Sequence, residues 1–175
     1  MVALDGAEAT GGAAMGADRQ RLLQEWNATQ ADFPQACAHE LFEAQAARTP
    51  DAIAVGYGGE SLTYRELNQR ANQLACVLRR RGIGPDKLVG VSMHCTPLMV
   101  IALLGVWKAG AAYVPLDPHY PADRLAFMVE DAALPLLLAE TAVASLYPDQ
   151  GDRLLCLDAC WPERSEEHTS ELQSP

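Results

Sequence analysis

Lys87-Leu-Val-Gly-Val-Ser-Met-His-Cys-Thr-Pro-Leu-Met-Val-Ile-Ala-Leu-Leu-Gly-Val-Trp-Lys-Ala-Gly-Ala-Ala-Tyr-Val-Pro-Leu-Asp-Pro118 decides the fold class of this chain. Lys87–Met93 is a short, nearly continuous apolar run and reads as a buried strand. Thr96 stands where a helix cap is needed, and Pro97 fits the first helical position, where a missing N–H costs nothing. Gly110 is placed to stop that helix as its C′ residue. Ala112–Leu116 then reads as a second short strand. Strand, helix, strand in this compass implies a right-handed crossover between parallel neighbours.

The same alternation continues outward. On the N-terminal side, His39–Arg48 reads as a helix with Leu41, Phe42 and Ala46 on one side, stopped before Pro50. Ala52–Tyr57, Gly58-Gly59 and Ser61-Leu62 read as a β-hairpin with a two-glycine turn. Thr63-Tyr-Arg-Glu66 is a capping box: the Thr hydroxyl can accept from the Glu amide while the carboxylate reaches back to the Thr amide. The helix it opens carries Leu67, Ala71, Leu74, Ala75 and Leu78 on a 3.6-residue stripe and is stopped by Gly82. On the C-terminal side, Pro121–Asp131 reads as a helix with Leu125, Met128 and Val129 inward. Leu134–Leu138 and Arg153–Leu157 read as strands. The predicted class is α/β, with a mainly parallel sheet flanked by helices.

Composition narrows the function classes. The 175 residues are 49% hydrophobic and 21% charged, with a formal charge of −10, values of a folded domain rather than a disordered chain. That acidity repels phosphate backbones and anionic lipid, so neither nucleic acid nor a membrane surface is expected as a partner. Pro97–Trp107, the longest apolar run, is well short of the roughly 20 residues a bilayer span needs. Asp5 and Glu8 follow Met1 with no basic, apolar leader, so a cytoplasmic protein is expected. Five cysteines (37, 76, 95, 156 and 160) form no Cys-x-x-Cys and suggest buried free thiols rather than disulfides or a zinc site.

The ends differ from the middle. Residues 1–18 are expected to be a flexible lead-in: the first 17 contain six Ala and four Gly, and Met15 is an alternative start. Residues 19–36 form a linker, and residues 37–163 the folded region. Arg164-Ser-Glu-Glu-His-Thr-Ser-Glu-Leu-Gln-Ser174 resembles the in-frame translation of a sequencing adapter, so residues 164–175 are expected to be a non-native tail. On that expectation, position 163 is not a biological end.

The residue chemistry on offer is sparse. No glycine-rich nucleotide fingerprint, phosphate-binding loop or nucleophile elbow is present. His39, His94, His119 and His168 share no ligand spacing. His94 adjoins Cys95, but adjacent strand residues point to opposite faces, which disfavours a thiolate–imidazole pair. Asp117 and Asp123 flank a Pro-rich turn and read as turn and helix-dipole residues rather than a catalytic carboxylate pair. Lys108 reads as a cation complementing the C-terminal end of its helix.

Two stretches go further when read together. Leu62-Thr-Tyr-Arg-Glu-Leu67 and Val106-Trp-Lys-Ala-Gly-Ala-Ala-Tyr-Val-Pro-Leu-Asp-Pro118 resemble the first two core motifs of nonribosomal peptide synthetase adenylation domains, members of the AMP-dependent synthetase/ligase superfamily. His39-Glu-Leu-Phe-Glu43, Thr49-Pro-Asp-Ala-Ile53 and Tyr120-Pro-Ala-Asp-Arg-Leu125 extend the resemblance in the family's order and spacing. Trp107 departs from the family's usual Leu, a packing change. Arg19–Asn27 resembles the linker that follows an upstream condensation domain. The resemblance implies an N-terminal part of an enzyme that uses ATP and Mg²⁺ to turn an amino acid into an aminoacyl adenylate, then passes it to a carrier protein's phosphopantetheine thiol. It also implies that the phosphate loop, side-chain pocket and catalytic Lys lie downstream. No catalytic, cofactor-binding or metal residue of this chain is therefore assigned, and the chain alone is expected to be inactive. A stand-alone acyl-CoA or fatty-acyl-AMP ligase and a non-enzymatic α/β interaction module are the competing expectations.

Overall fold

The structure is a computed structural model that describes residues 19–32 and 34–160. The chain divides into two compact units between Ala36 and Cys37. In the first, Arg21–Glu25 forms one π-helical turn, closed by the Arg21–Glu25 ion pair and by the Asn27 side-chain amide, which donates to the Leu22 carbonyl at 2.6 Å. The expected lead-in at 1–18 and tail at 164–175 lie outside the described residues.

The second unit runs α1 (Ala38–Arg48), β1 (Ile53–Tyr57), β2 (Glu60–Thr63), α2 (Tyr64–Arg80), β3 (Leu88–Ser92), α3 (Pro97–Lys108), β4 (Ala112–Pro115), α4 (Ala122–Asp131), β5 (Leu136–Ala139), β6 (Leu154–Cys156) and α5 (Leu157–Cys160). Strands β1 and β2 form an antiparallel hairpin with Tyr57 opposite Glu60. That register leaves Gly58 and Gly59 as the two loop residues, both at positive φ, as a twist-matched hairpin turn demands. The other four strands make a wholly parallel sheet in the order β4-β3-β5-β6. The predicted α/β class and parallel sheet are what the structure shows. Strand boundaries move by one or two residues: Leu157, expected in a strand, opens α5.

The capping box forms as the sequence dictates. The Glu66 amide donates to the Thr63 hydroxyl at 3.2 Å, and the Glu66 carboxylate accepts from the Thr63 amide at 2.8 Å. Behind it, Leu67, Ala71, Leu74, Ala75 and Leu78 are all buried, with Leu78 fully sequestered. Each such leucine contributes on the order of 1.5–3 kcal/mol through the apolar surface it removes from water. The stripe packs against Ile101, Ala102, Leu104 and Val106 of α3 and against Val89, Val91, Leu136 and Leu138 on one sheet face. Contact between α2 and α3 is close at Gly105, where an added Cβ would lie 2.6–2.9 Å from the Cδ2, Cγ and Cβ of Leu74.

The opposite sheet face carries Leu137 and is covered by Leu125 and Val129 of α4, together with Leu116, Leu134 and Tyr147. Strand β3 itself presents no bulk on this side at Gly90, whose Cβ would collide with Leu137 and Leu134. Helices α3 and α4 thus sit on different faces. The chain leaves β3 through α3 to reach β4, then returns through α4 and lands on the other side of β3, at β5. Strand β3 is the point where the winding changes direction, and ligand crevices in open α/β sheets form outside the carboxyl ends of strands at such a point.

Two expectations about residue roles are extended or corrected. Lys108 sits in the last turn of α3 as predicted, and its side chain is only 4% exposed and its ammonium bonds Glu43 of α1. Burial of an ammonium needs a partner, so besides complementing its helix end this lysine is a buried ion-pair strut between α1 and α3. The Lys108 carbonyl accepts from the Arg79 guanidinium, tying the ends of α2 and α3. The cysteines are free, but Cys37 and Cys95 are exposed and the other three half-buried.

Candidate functional site

The carboxyl ends of β3, β4 and β5 bring four polar side chains and a threonine hydroxyl together. Register explains why. Ser92 pairs with Ala139, and Val91 pairs with Pro115. The chain one or two residues beyond each pairing therefore emerges at one rim: His94 after β3, Asp117 after β4 and Glu140 after β5. His94 Nδ1 lies 2.8 Å from Glu140 Oε2, and the Thr96 hydroxyl donates to Glu140 Oε1 at 3.1 Å. His119 Nδ1 lies 2.8 Å from Asp117 Oδ1, which also accepts from the His119 amide at 3.0 Å. The two imidazole rings meet edge to face with centroids 6.3 Å apart. Next to them, the Arg124 guanidinium lies 4.2 Å over the Tyr120 ring.

The electrostatics follow from those contacts. The His119 backbone N–H, then its imidazole, hold the Asp117 carboxyl below its usual range. Asp117 is therefore an anion at neutral pH, and Glu140 accepts from two donors without a cation of fixed charge beside it. Beneath the rim, the Tyr147 phenol is buried and pushed above its ordinary range, an effect that the Ser92 hydroxyl opposes. Neither hydroxyl completes a hydrogen bond of good geometry.

The residues singled out in the sequence divide sharply. His94 and Cys95 are not a pair: His94 turns to Glu140, while Cys95 is exposed and among the described residues has no hydrogen-bond partner. Asp117 and Asp123 are not a carboxylate pair either. Asp117 closes a turn on His119, and Asp123 sits in the first turn of α4, the two roles expected of them. Thr96 is the N-terminal flanking residue of α3, yet its hydroxyl serves Glu140 rather than the helix. His39 lies in the first turn of α1, and His168 is outside the described residues. Glu140 and Thr96 escape sequence reasoning as site residues. The one available signal is position: each rim residue stands just past a predicted strand.

The rim does not fit a nucleotide triphosphate. Such a ligand needs backbone amides, hydroxyls and cations converging on its phosphates. Here each imidazole spends one nitrogen on a carboxylate, Glu140 for His94 and Asp117 for His119. No step of a nucleotide reaction is derived from these residues. Among the described residues, no helix is long and apolar enough to cross a membrane.

Comparison with known proteins sets this scaffold in context. A family model described as "AMP-binding enzyme" matches residues 42–174. A linear gramicidin synthase of Brevibacillus parabrevis is 48% identical over 143 residues, 81% of this chain but 3% of that protein. A crystal structure of the nonribosomal peptide synthetase FmoA3 bound to alpha-methyl-L-serine-AMP superposes with a TM-score of 0.73 at 36% identity, covering 79% of this chain and 16% of that one. The N-terminal subdomain of Klebsiella oxytoca NpsA, in complex with 3-hydroxyanthranilyl-AMSN, superposes at a TM-score of 0.56 and 25% identity, covering 61% and 28%. This chain thus spans a small part of the proteins it matches.

Proposed function

This chain belongs to the AMP-binding enzyme family, and from that membership we propose that residues 37–163 are the N-terminal part of an amino-acid-activating adenylation domain. The parent enzyme would join ATP and an amino acid into an aminoacyl adenylate, releasing pyrophosphate. It would then transfer the aminoacyl group to the phosphopantetheine thiol of a carrier protein during nonribosomal peptide assembly in the cytoplasm. In this reading residues 19–36 link to an upstream condensation domain, residues 1–18 are a lead-in, and residues 164–175 are a non-native tail.

One observation carries the proposal. The region spanning both motifs folds like the matched part of a peptide synthetase whose crystal structure holds an aminoacyl-AMP. Within this chain the motifs are scaffold. Thr63 and Glu66 cap α2, Lys108 anchors α3 to α1, and Gly110, at φ +88°, turns the chain from helix into β4. None of them is assigned to ATP, Mg²⁺ or substrate. The parent's chemistry needs preorganised donors at the α-phosphate, and in this reading they lie downstream of residue 163.

The test is amino-acid-dependent pyrophosphate exchange, run on the 175-residue chain and on a chain extended with the sequence that follows residue 163 in the source genome. The short chain should be inactive and the extended one active with one class of amino acid. Turnover by the short chain, or an extended chain that responds only to fatty acids, would overturn the reading.

A further inference from the structure

We propose that His94 and His119 form a binding site for a divalent transition-metal ion of borderline softness, of the Zn²⁺ or Ni²⁺ class. The argument starts from the tautomers. Each Nδ1 lies 2.8 Å from a carboxylate oxygen, which can only accept, so the ring proton of each neutral imidazole sits on Nδ1. Both Nε2 atoms are left with a lone pair. Among the described residues neither Nε2 has a protein partner. A histidine whose second nitrogen donates to a carboxylate is the usual metal-ligating arrangement, because the carboxylate fixes the ring and raises its basicity. Here that arrangement occurs twice, on two loops that parallel-strand register brings to one rim.

Access agrees with this, and the distance can be closed. With a metal–nitrogen bond of about 2.0–2.1 Å, two imidazoles on one tetrahedral ion have ring centroids roughly 5 Å apart. The rings now stand 6.3 Å apart, so binding draws them together by about 1 Å. The side chains are 47% and 81% exposed, so an ion can reach them and His119 can turn its edge toward His94. With neutral rings, the two carboxylates leave the rim negative, which favours a cation over an anion. Imidazole nitrogens select Zn²⁺, Ni²⁺ and Cu²⁺, whereas Mg²⁺ takes oxygen ligands and keeps its water. Among the described residues no three ligand-type side chains converge on one point, so water completes the coordination. Micromolar rather than nanomolar affinity is the consequence.

The experiment is calorimetric titration of the untagged 175-residue chain, stripped with EDTA, with NiCl₂ at neutral pH. We expect one equivalent bound with a dissociation constant in the micromolar range, and no comparable binding of MgCl₂. His94→Gln and His119→Gln should each weaken binding at least tenfold. Glu140→Gln, which leaves both ligands in place, should weaken it by about 10–100-fold, the usual effect of removing such a carboxylate. His39→Gln should change nothing. His94 and His119 are exposed and Glu140 and His39 partly buried, and an unchanged far-ultraviolet circular dichroism spectrum verifies folding of each variant. The proposal is overturned by absence of binding at millimolar Ni²⁺, by binding that survives both histidine substitutions, or by dependence on only one of the two. None of these outcomes bears on the adenylation reading.

Discussion

Gly105→Ala puts the packing of α2 on α3 to a quantitative test. In an open helix interior, replacing Gly by Ala stabilises by about 1 kcal/mol, because Gly loses more backbone freedom on folding. Gly105 is not open. Its added methyl would fall 2.6, 2.7 and 2.9 Å from Cδ2, Cγ and Cβ of Leu74. A flexible tip could swing away, but Cβ is fixed to the α2 backbone, so the helices must separate. Overpacking of this kind costs typically about 1–3 kcal/mol, with the remainder of α3 moving off Leu78 and Leu67. Because the backbone-fixed Cβ cannot move aside, the upper part of that range applies, about 2–3 kcal/mol, and set against the propensity gain the expected net loss is about 1–2 kcal/mol. For a chain of this size that lowers Tm by roughly 3–6 °C. Urea unfolding followed by circular dichroism measures it, and the partner Leu74→Ala supplies the control. Alone, Leu74→Ala should cost about 2–5 kcal/mol by leaving a cavity. Leu74→Ala removes the Cδ2 and Cγ contacts but keeps the Cβ at 2.9 Å, so in that background adding Gly105→Ala should cost less than it does in the unaltered chain, a measurable coupling between the two sites. If Gly105→Ala raises Tm in the otherwise unaltered chain, the close approach of α3 to Leu74 is wrong.

Further expectations follow from individual contacts. Glu43→Ala leaves the buried Lys108 ammonium without its partner and should cost about 1–3 kcal/mol, more than Lys108→Met, which removes the charge and keeps the stem; paired urea curves would reverse that order if the ion pair were incidental. At Gly90 an added methyl meets only the flexible tips of Leu137, Leu134 and Leu116, so Gly90→Ala should cost about 1 kcal/mol and less than Gly105→Ala. Thermal melts of the two variants side by side check that ranking. The Thr63 amide, then its hydroxyl, hold the Glu66 carboxyl below its usual range. A depressed carboxyl contributes stability above its unfolded pKa and loses it as pH falls through the folded one. Thr63→Ala should therefore lower Tm at neutral pH, and the gap from the unaltered chain should narrow on acidification. A gap that is constant or widens toward low pH would show that the capping box contributes nothing through its charge.

Local chemistry is legible in the sequence, and remote pairing is not. The capping box, the two-glycine turn and the stripe Leu67–Leu78 are encoded within a few residues of themselves, so periodicity and turn chemistry suffice to place them. Pro97 and Gly110 bracket α3 for the same reason. Strand order is another matter, since nothing within β3 says that β5 rather than β6 will lie beside it. The rim is therefore hidden from a linear reading: His94 and Glu140 are 46 residues apart. Lys108 and Glu43 are 65 apart, and a lysine in a last helical turn has an adequate local explanation that conceals the remote one. Cys95 misleads because free cysteine as a residue type is usually buried, whereas the chain has already left the sheet when it reaches that residue.

The placement of β3 has a consequence for biosynthesis. Both of its hydrogen-bonded neighbours are made after it, so when Leu88–Ser92 leaves the ribosome neither flank has anything to bond. At a synthesis rate of about 5–20 residues per second, seconds pass before β5 arrives to close the second flank. During that interval the strand, buried along four of its five residues in the finished fold, is held by α2 and α3 alone. Slowing translation between Ala112 and Leu136 would lengthen the exposure, and a chaperone that recognises extended apolar chain would find its target there.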